Sequence, residues 1–321
     1  MRKSRLYPVV AALFIVLLGL MLVALPHRAA GTLSIHFIDV GQADSILIKT
    51  PGSQSILVDG GNVSDGRLVV DYLRSHGVKR LAAIVATHPH EDHIGGLAAV
   101  LHAFPVSTVY MPDVVYQDRT YGEFLQAVGD SGAKRIRARA GVSMDAGPGV
   151  SARFLAPNGE YYSDLNDYSA VLKVTYKQTA FMLEGDAGAV SEEEMLSGKD
   201  SLQADLLKVG HHGSSSATTL KFLKAVSPRY AVISVGAGNK FGHPTLQTLS
   251  RLASKMVEVY RTDTSGTIVA ASDGKAIRLD KTVPVYIQDA RHMAFKIAGL
   301  WLRHWFYPYP LLLVGRYLPA R

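Results

Sequence analysis

The chain has 321 residues, enough for one large domain or two modest ones. It contains no cysteine, which excludes a disulfide framework and any thiolate-held metal, so a metal here must be held by His and carboxylate. The formal charge of +7 sits at the ends. Residues 1–31 carry four basic groups and no acid, residues 282–321 five against one, and the 250 residues between them 25 against 26, which argues against a general nucleic-acid-binding surface on the central body.

The first element is apolar. MRKSR precedes LYPVVAALFIVLLGLMLVALP, an uncharged run long enough to cross a bilayer. The basic flank predicts a cytoplasmic N-terminus, an uncleaved single-pass anchor and an extracytoplasmic remainder. The alternative is a signal segment and a secreted product, disfavoured by Arg28 near the small residues that cleavage would need.

From Thr32 the pattern changes. LSIHFIDVG, DSILIKT and SILVDGG read as strands, with a turn at PGSQ. GRLVVDYLRSHG has helical spacing and ends on Gly77. LAAIVAT is a buried strand and IGGLAAVLHAF the helix beyond it. VSTVYMP, YGEFLQAVGDSG and VSARFLAPN follow as strand, helix and strand. SAVLKVTYKQTAFMLEGD reads as a hairpin. SEEEMLSG reads as a helix capped by Ser191, with Glu194 closing a capping box. ADLLKVGHHGS is strand then loop, and ATTLKFLKAVS, RYAVISVG, PTLQTLSRLAS, VEVYRT and GTIVAASD complete the series. Hairpins mixed with β-helix-β units predict an α+β fold: two sheets face to face, helices outside, and a site built on strand-end loops. In the tail, Ile287, Ala290, Ala294, Ile297, Trp301 and Trp305 share one helical face with basic residues elsewhere, the pattern of a helix lying in a membrane interface or docked on the domain.

The stretch ATHPHEDHIGGL crowds His88, His90, Glu91, Asp92 and His93 behind a buried strand. With alternate loop residues pointing one way, His88 and His90 share one metal, and Asp92 and His93 a second. Imidazole and carboxylate suit zinc, manganese or iron.

HPHEDH resembles the H-x-H-x-D-H signature of the metallo-β-lactamase superfamily. FIDVGQADSILIKTPGSQSILVDGG, THPHEDHIGGL, NDYSAVLKVTY, FMLEGDAG, LLKVGHHGSSSAT and AVISVGAGNKFGHPT follow in an order similar to the extracytoplasmic hydrolase domain of ComEC-type competence proteins, over about residues 32–275. More loosely, the set resembles the phosphorylcholine esterases that act on teichoic acid. The resemblance implies an αββα sandwich behind the N-terminal transmembrane anchor. With the apolar start and the tail read from their residues, the chain divides into an anchor or signal segment (1–31), a hydrolase domain (32–281) and an amphipathic aromatic-basic tail (282–321).

It further implies a metal set of His88, His90, Asp92, His93, Asp186, His211 and His243, with Asp186 bridging two ions. One of His211 and His212 is implied at the metal; adjacent residues on an extended chain point opposite ways, so at most one is expected there, with His211 set among the ligands, His212 among the supporting residues and the choice between them open. His243 either completes the second ion or serves as general acid, and Asp92, Asp186 and His243 form the catalytic group. Asp59 is implied to orient a ligand histidine. Asp39, Gln42 and Asp44 are read as shaping the site. No histidine occurs between His102 and Asp186, where many relatives supply one. Asn166, Asp167 and Ser169 stand there, and a harder ligand set favours manganese over zinc. Ser214 and its neighbours offer donors to a phosphate oxygen.

The expected chemistry is hydrolysis by a water bridging two divalent ions, Zn or Mn, which also clamp the attacking and leaving oxygens. The expected substrate is a phosphoester, as DNA or a cell-envelope polymer, with the membrane as partner and no protein partner evident. A lactone or β-lactam hydrolase and a non-catalytic envelope protein are the rival readings. The basic stretch GAKRIRARA is read as a solvated edge ahead of a DNA contact.

Overall fold

A computed structural model describes residues 31–280 of the chain. The whole of the expected tail, and all of the expected anchor segment except Gly31, lie outside these residues, and among the described residues no helix is long and apolar enough to cross a membrane.

Alternation in LSIHF builds β1 (Leu33–Phe37). It pairs antiparallel with β2 (Ile46–Lys49), which pairs with β3 (Ser55–Val58). Parallel pairing then adds β4 (Leu81–Val85), β5 (Val106–Met111) and β6 (Lys134–Arg137). The chain crosses to a second sheet. There β7 (Ser143–Asp145), β8 (Val150–Phe154), β9 (Leu172–Tyr176) and β10 (Thr179–Leu183) are antiparallel, and β11 (Leu206–Lys208), β12 (Tyr230–Ile233) and β13 (Glu258–Arg261) continue parallel. Finally β14 (Ile268–Ser272) and β15 (Ile277–Leu279) return to the first sheet beside β1. Among the described residues the sheets have eight and seven strands.

Leu33, Ile35, Phe37, Phe154, Leu172, Phe181 and Leu206 belong to one core between the sheets. The outer face of the first sheet packs on α1 (Gly66–Ser75), α2 (Glu91–Ile94), α3 (Leu97–Ala103) and α4 (Arg119–Ser131). That of the second packs on α5 (Ala189–Ser197), α6 (Leu220–Val226) and α7 (Leu246–Ser254). The result is the expected helix–sheet–sheet–helix order. The short edge strands β6, β7 and β15 were not expected: β6 is charged at three of its four positions, and β7 and β15 are only three residues long. In β6 and just beyond it, Arg135 pairs with Asp113 (3.4 Å) and Arg137 and Arg139 share Glu160, so the four basic groups of the GAKRIRARA stretch form a sheet edge partly offset by two carboxylates.

Helix α5 corrects an expectation. It starts at Ala189, two residues before Ser191, which is buried inside it. Asp167 Oδ1 instead accepts from the amides of Gly188 (3.0 Å) and Ser191 (3.3 Å), and Glu194 is bonded to the Tyr162 hydroxyl. A side chain from a preceding loop has replaced the local cap.

On the outer face of β1, His36 Nδ1 lies 2.8 Å from the Tyr72 hydroxyl of α1 and Nε2 3.0 Å from Ser34 Oγ. Burial, then neighbouring His76 and Lys49, lower its pKa from 6.5 to about 4. An unfolded chain takes up this proton between those values and the folded chain does not. Stability therefore falls as pH drops through that window, by about 2 kcal/mol after discounting for partial solvent screening. Urea titrations at pH 7 and pH 4.5 should show this loss, and His36→Gln should reduce it; an unchanged pH dependence would rule His36 out as its source.

Candidate metal centre

The parallel runs of the two sheets end on the same side of the sandwich. The C-terminal ends of β3, β4, β10, β11 and β12 carry Asp59, the HPHEDH turn, Asp186, His211–His212 and the loop to His243. Loops at such strand ends are where α/β sheets place their chemistry.

Half of HPHEDH is helical. His90 caps α2, and Asp92 and His93 lie in its single turn. The two glycines that follow are fixed by contact with backbone. A Cβ on Gly96 would lie 2.0 Å from the Gly60 oxygen, and one on Gly95 2.3 Å from the Val63 nitrogen. The Gly60 amide donates to the His93 carbonyl (2.6 Å) and that of Gly96 to the Gly61 carbonyl (3.1 Å). The turn with the histidines is thus docked on the turn that carries Asp59. Gly96→Ala has no side chain to push aside, so it should cost about 3 kcal/mol or more. Denaturant unfolding measures this, and a cost under about 1 kcal/mol would show that the turns yield.

Asp59 organises the rear of the site. Its backbone is left-handed (φ 58°), a conformation that Asp tolerates. Its Oδ1 accepts from the Thr87 amide (2.8 Å), and its Oδ2 faces Thr87 Oγ1 (2.7 Å) and His93 Nδ1 (2.8 Å). With Asp59 as acceptor, the proton is assigned to Nδ1 and Nε2 faces forward. Asp59 thus stands behind His93, one of the histidines of the signature. Thr87, which also lies 3.2 Å from His88 Nδ1, was missed; its only signal was its place just before the signature.

Asp186 stands at the centre. Its Oδ1 is 3.3 Å from His93 Nε2, while its Oδ2 is 3.6 Å from His212 Nε2, 3.7 Å from His211 Nε2 and 4.0 Å from His88 Nε2. His90 Nδ1 is 3.0 Å from His88 Nε2. Asp92, His93, Asp186 and His212 each offer a ligand atom, all within 4.8 Å of one another. Among the described residues, His93 Nε2 and Asp186 Oδ1 are buried and lack a hydrogen-bond partner. Two ligands about 2.1 Å from a tetrahedral ion stand about 3.4 Å apart, so these spacings and orphaned atoms fit a divalent cation.

The charges are strongly coupled. Burial lowers the pKa of His88 well below the usual imidazole value, and neighbouring His93 adds to this. Burial works against the charge of His93, but Asp186, Asp59 and Asp92 outweigh it and hold its pKa high. Burial likewise opposes ionisation of Asp186, and His93 and His212 overcome it, holding the carboxyl well below its usual range. Asp92 is lowered in the same way, by His93 and by the 3.2 Å contact with His212 Nε2. The site is therefore rich in carboxylate charge.

His211 and His212 need a correction. The chain there is not extended: both residues are left-handed, with φ of 48° and 52°. The tight turn brings both imidazoles to Asp186 Oδ2. The buried His212 joins the four-residue group, while His211, placed at the metal by the sequence, is more exposed and stands beside it. His212 Nδ1 lies 3.0 Å from the Ser234 carbonyl.

His243 stands at the rim, its ring centroid 5.6 Å from that of His211. Burial, then His211 and His212, lower its pKa. Asn239 grips its backbone on both sides (3.0 and 2.6 Å), and Gln42 Oε1 accepts from Gly236 at the loop's start (3.0 Å). In place of the missing histidine, Ser169 Oγ is 3.4 Å from His88 Nδ1 and accepts from the Asp186 amide (3.0 Å). Asp167 does not substitute for it, since it caps α5. Asn166 makes no hydrogen bond or ion pair with the cluster among the described residues. Ser214 pairs with Ser216 (2.9 Å), whose hydroxyl is 3.3 Å from His211 Nδ1, so Ser214 acts at one remove.

The family model of the metallo-beta-lactamase superfamily matches residues 38–237. ComE operon protein 3 of Bacillus subtilis is 28% identical over 251 residues, covering 73% of this chain and 32% of that protein. Competence protein ComA of Neisseria gonorrhoeae is 32% identical over 233 residues, covering 72% and 31%. Recombination protein 2 of Haemophilus influenzae is 26% identical over 258 residues, covering 79% and 31%. The chain spans about a third of the length of these curated relatives. This chain belongs to the metallo-β-lactamase superfamily, and within it the similarity runs to competence proteins.

Proposed function

We propose that this chain is a metal-dependent hydrolase of phosphoester bonds, held at the membrane by its N-terminal segment with the sandwich outside the cytoplasm. The observation that carries the reading is Asp186, one carboxylate facing His93 on one oxygen and His88, His211 and His212 on the other. His88, His90 and Asp186 would hold one divalent ion, with His211 beside it facing substrate, and Asp92, His93, His212 and the same Asp186 would hold a second. Bound there, the pair supplies an activated water and positive charge for the oxygens of a phosphoester. Everything else is the work of the chain. Asp59 and Thr87 keep the His93 proton on Nδ1, turning Nε2 forward. Ser169 steadies His88 and the Asp186 turn. His243, with its lowered pKa, stays neutral at neutral pH and offers a leaving oxygen a hydrogen bond from the rim. The near-neutral central body, with two carboxylates set along the basic β6 edge, favours a small or envelope-bound substrate, and DNA is the second reading.

The full chain in detergent, stripped of metal and reloaded with manganese or zinc, tests this. A chromogenic phosphodiester, single- and double-stranded DNA and a β-lactam are compared, with His90→Ala as control. Phosphodiester cleavage lost in the variant supports the reading, and steep loss of rate with salt selects DNA. β-Lactam turnover alone overturns it.

A further inference from the structure

A second cluster lies behind the first. Asp44 precedes β2 and is buried. Its backbone is fastened to both halves of the site: its amide donates to the Asp92 carbonyl (3.0 Å), and its carbonyl accepts from Gly61 (2.8 Å). Its side chain stands behind the two imidazoles of the four-residue group. Oδ2 is 4.0 Å from His93 Nδ1, and Oδ1 is 3.7 Å from His212 Nδ1. Asp44, Asp59 and His93 bring three ligand atoms within 4.8 Å of one another, a second place with the donors for a cation.

A cation is already there. Lys208, at the end of β11, is fully buried, with its Nζ 2.8 Å from Asp44 Oδ2 and donating to the Val209 carbonyl (2.9 Å). Its approach to Asp44 is off the hydrogen-bond direction, so the contact is an ion pair. A buried ion pair seldom repays its desolvation in stability. Its place behind the two histidines suggests another use.

We propose that Lys208 is the built-in cation of this rear cluster: it neutralises Asp44 behind His93 and His212 and keeps divalent ions out of the Asp44–Asp59–His93 group. Lys208 is thus a positioning residue. It leaves His93 with its Nδ1 proton on Asp59 and its Nε2 free for the front group. The inference rests on reading that front group as the metal site.

The test counts ions. The full-length chain and its variants are titrated with manganese, and bound ions are read by mass spectrometry and electron paramagnetic resonance. Lys208→Met keeps the length and removes the charge, so it should bind one more ion per chain than the wild type. Lys208→Arg should bind the wild-type number. Asp44→Asn/Lys208→Met should lose the additional ion, because the carboxylate that captured it is gone. Asp44→Asn alone leaves an unpaired ammonium behind the ligands and should weaken manganese binding about tenfold or more, the scale of other supporting-residue changes at metal sites.

A folded Lys208→Met chain with no additional ion overturns the inference and leaves the hydrolase reading standing. A wild type that binds no ion, beside a Lys208→Met chain that binds one, overturns the hydrolase reading and with it the positioning role, and keeps only the exclusion of cations from the rear group. Should Lys208→Met fail to fold, Asp44→Asn decides: wild-type affinity there overturns the proposal.

Discussion

Asp186→Asn should lower phosphodiester turnover by about 10³-fold or more, roughly 4 kcal/mol of barrier. The substitution keeps the shape of the side chain and removes its charge. Four imidazoles face this carboxylate between 3.3 and 4.0 Å, and it is the group common to both proposed ions. Asn also cannot offer two equivalent anionic oxygens, so the two halves of the site lose their shared ligand. The pKa of His93 is held up by Asp186 before Asp59 and Asp92. Without Asp186 it should fall, and the metal-free site should take up fewer protons near neutral pH. Metal content, turnover and a proton-uptake titration give three independent readings. Near-normal turnover with full metal content would show that Asp186 is a bystander and that the chemistry lies elsewhere.

Much of this site was legible in the sequence because its parts follow chain-local rules. LAAIVAT reads as a buried strand from its apolar run, and the polar crowd just after it must sit at a strand end. Asp59 and Asp186 close apolar strands in the same way, and pairing in the two sheets brings those ends together. What was not legible depends on backbone conformation or on distant partners. The His211–His212 turn is left-handed, which a rule for extended chains cannot anticipate. Lys208 looks like the solvent-facing residue of an alternating strand, but β11 is flanked by β10 and β12 and covered on both faces, so its ammonium had to find an acid. Ser191 had the local pattern of a cap, and Asp167 took the amides from another loop. Gly95 and Gly96 read as ordinary helix-start residues, and their need for close backbone approach appears only once Gly60 is beside them.

His212→Ala should cost far more than His211→Ala, about 10²- to 10³-fold in turnover against about tenfold. Both rings reach Asp186 Oδ2 at nearly equal distance, so distance alone does not separate them. Their surroundings do. His212 is buried, faces Asp92 Oδ2 at 3.2 Å, and has its other ring nitrogen fixed near the Ser234 carbonyl. That is how a ligand imidazole is held: one nitrogen committed to the protein and one turned to the centre. Among the described residues His211 has the Ser216 hydroxyl at 3.3 Å behind it and stays partly open to solvent, a looser hold that suits the proposed contact with substrate. The two roles part in the readout. His212→Ala should lower metal affinity and turnover together, and His211→Ala should raise KM or lower kcat with metal content intact. Ser216→Ala should reproduce a weak form of the His211 effect and none of the His212 effect. Equal metal loss in both histidine variants would place both rings on the ions. The left-handed turn at 211–212 would then be a device for presenting two adjacent ligands to one carboxylate.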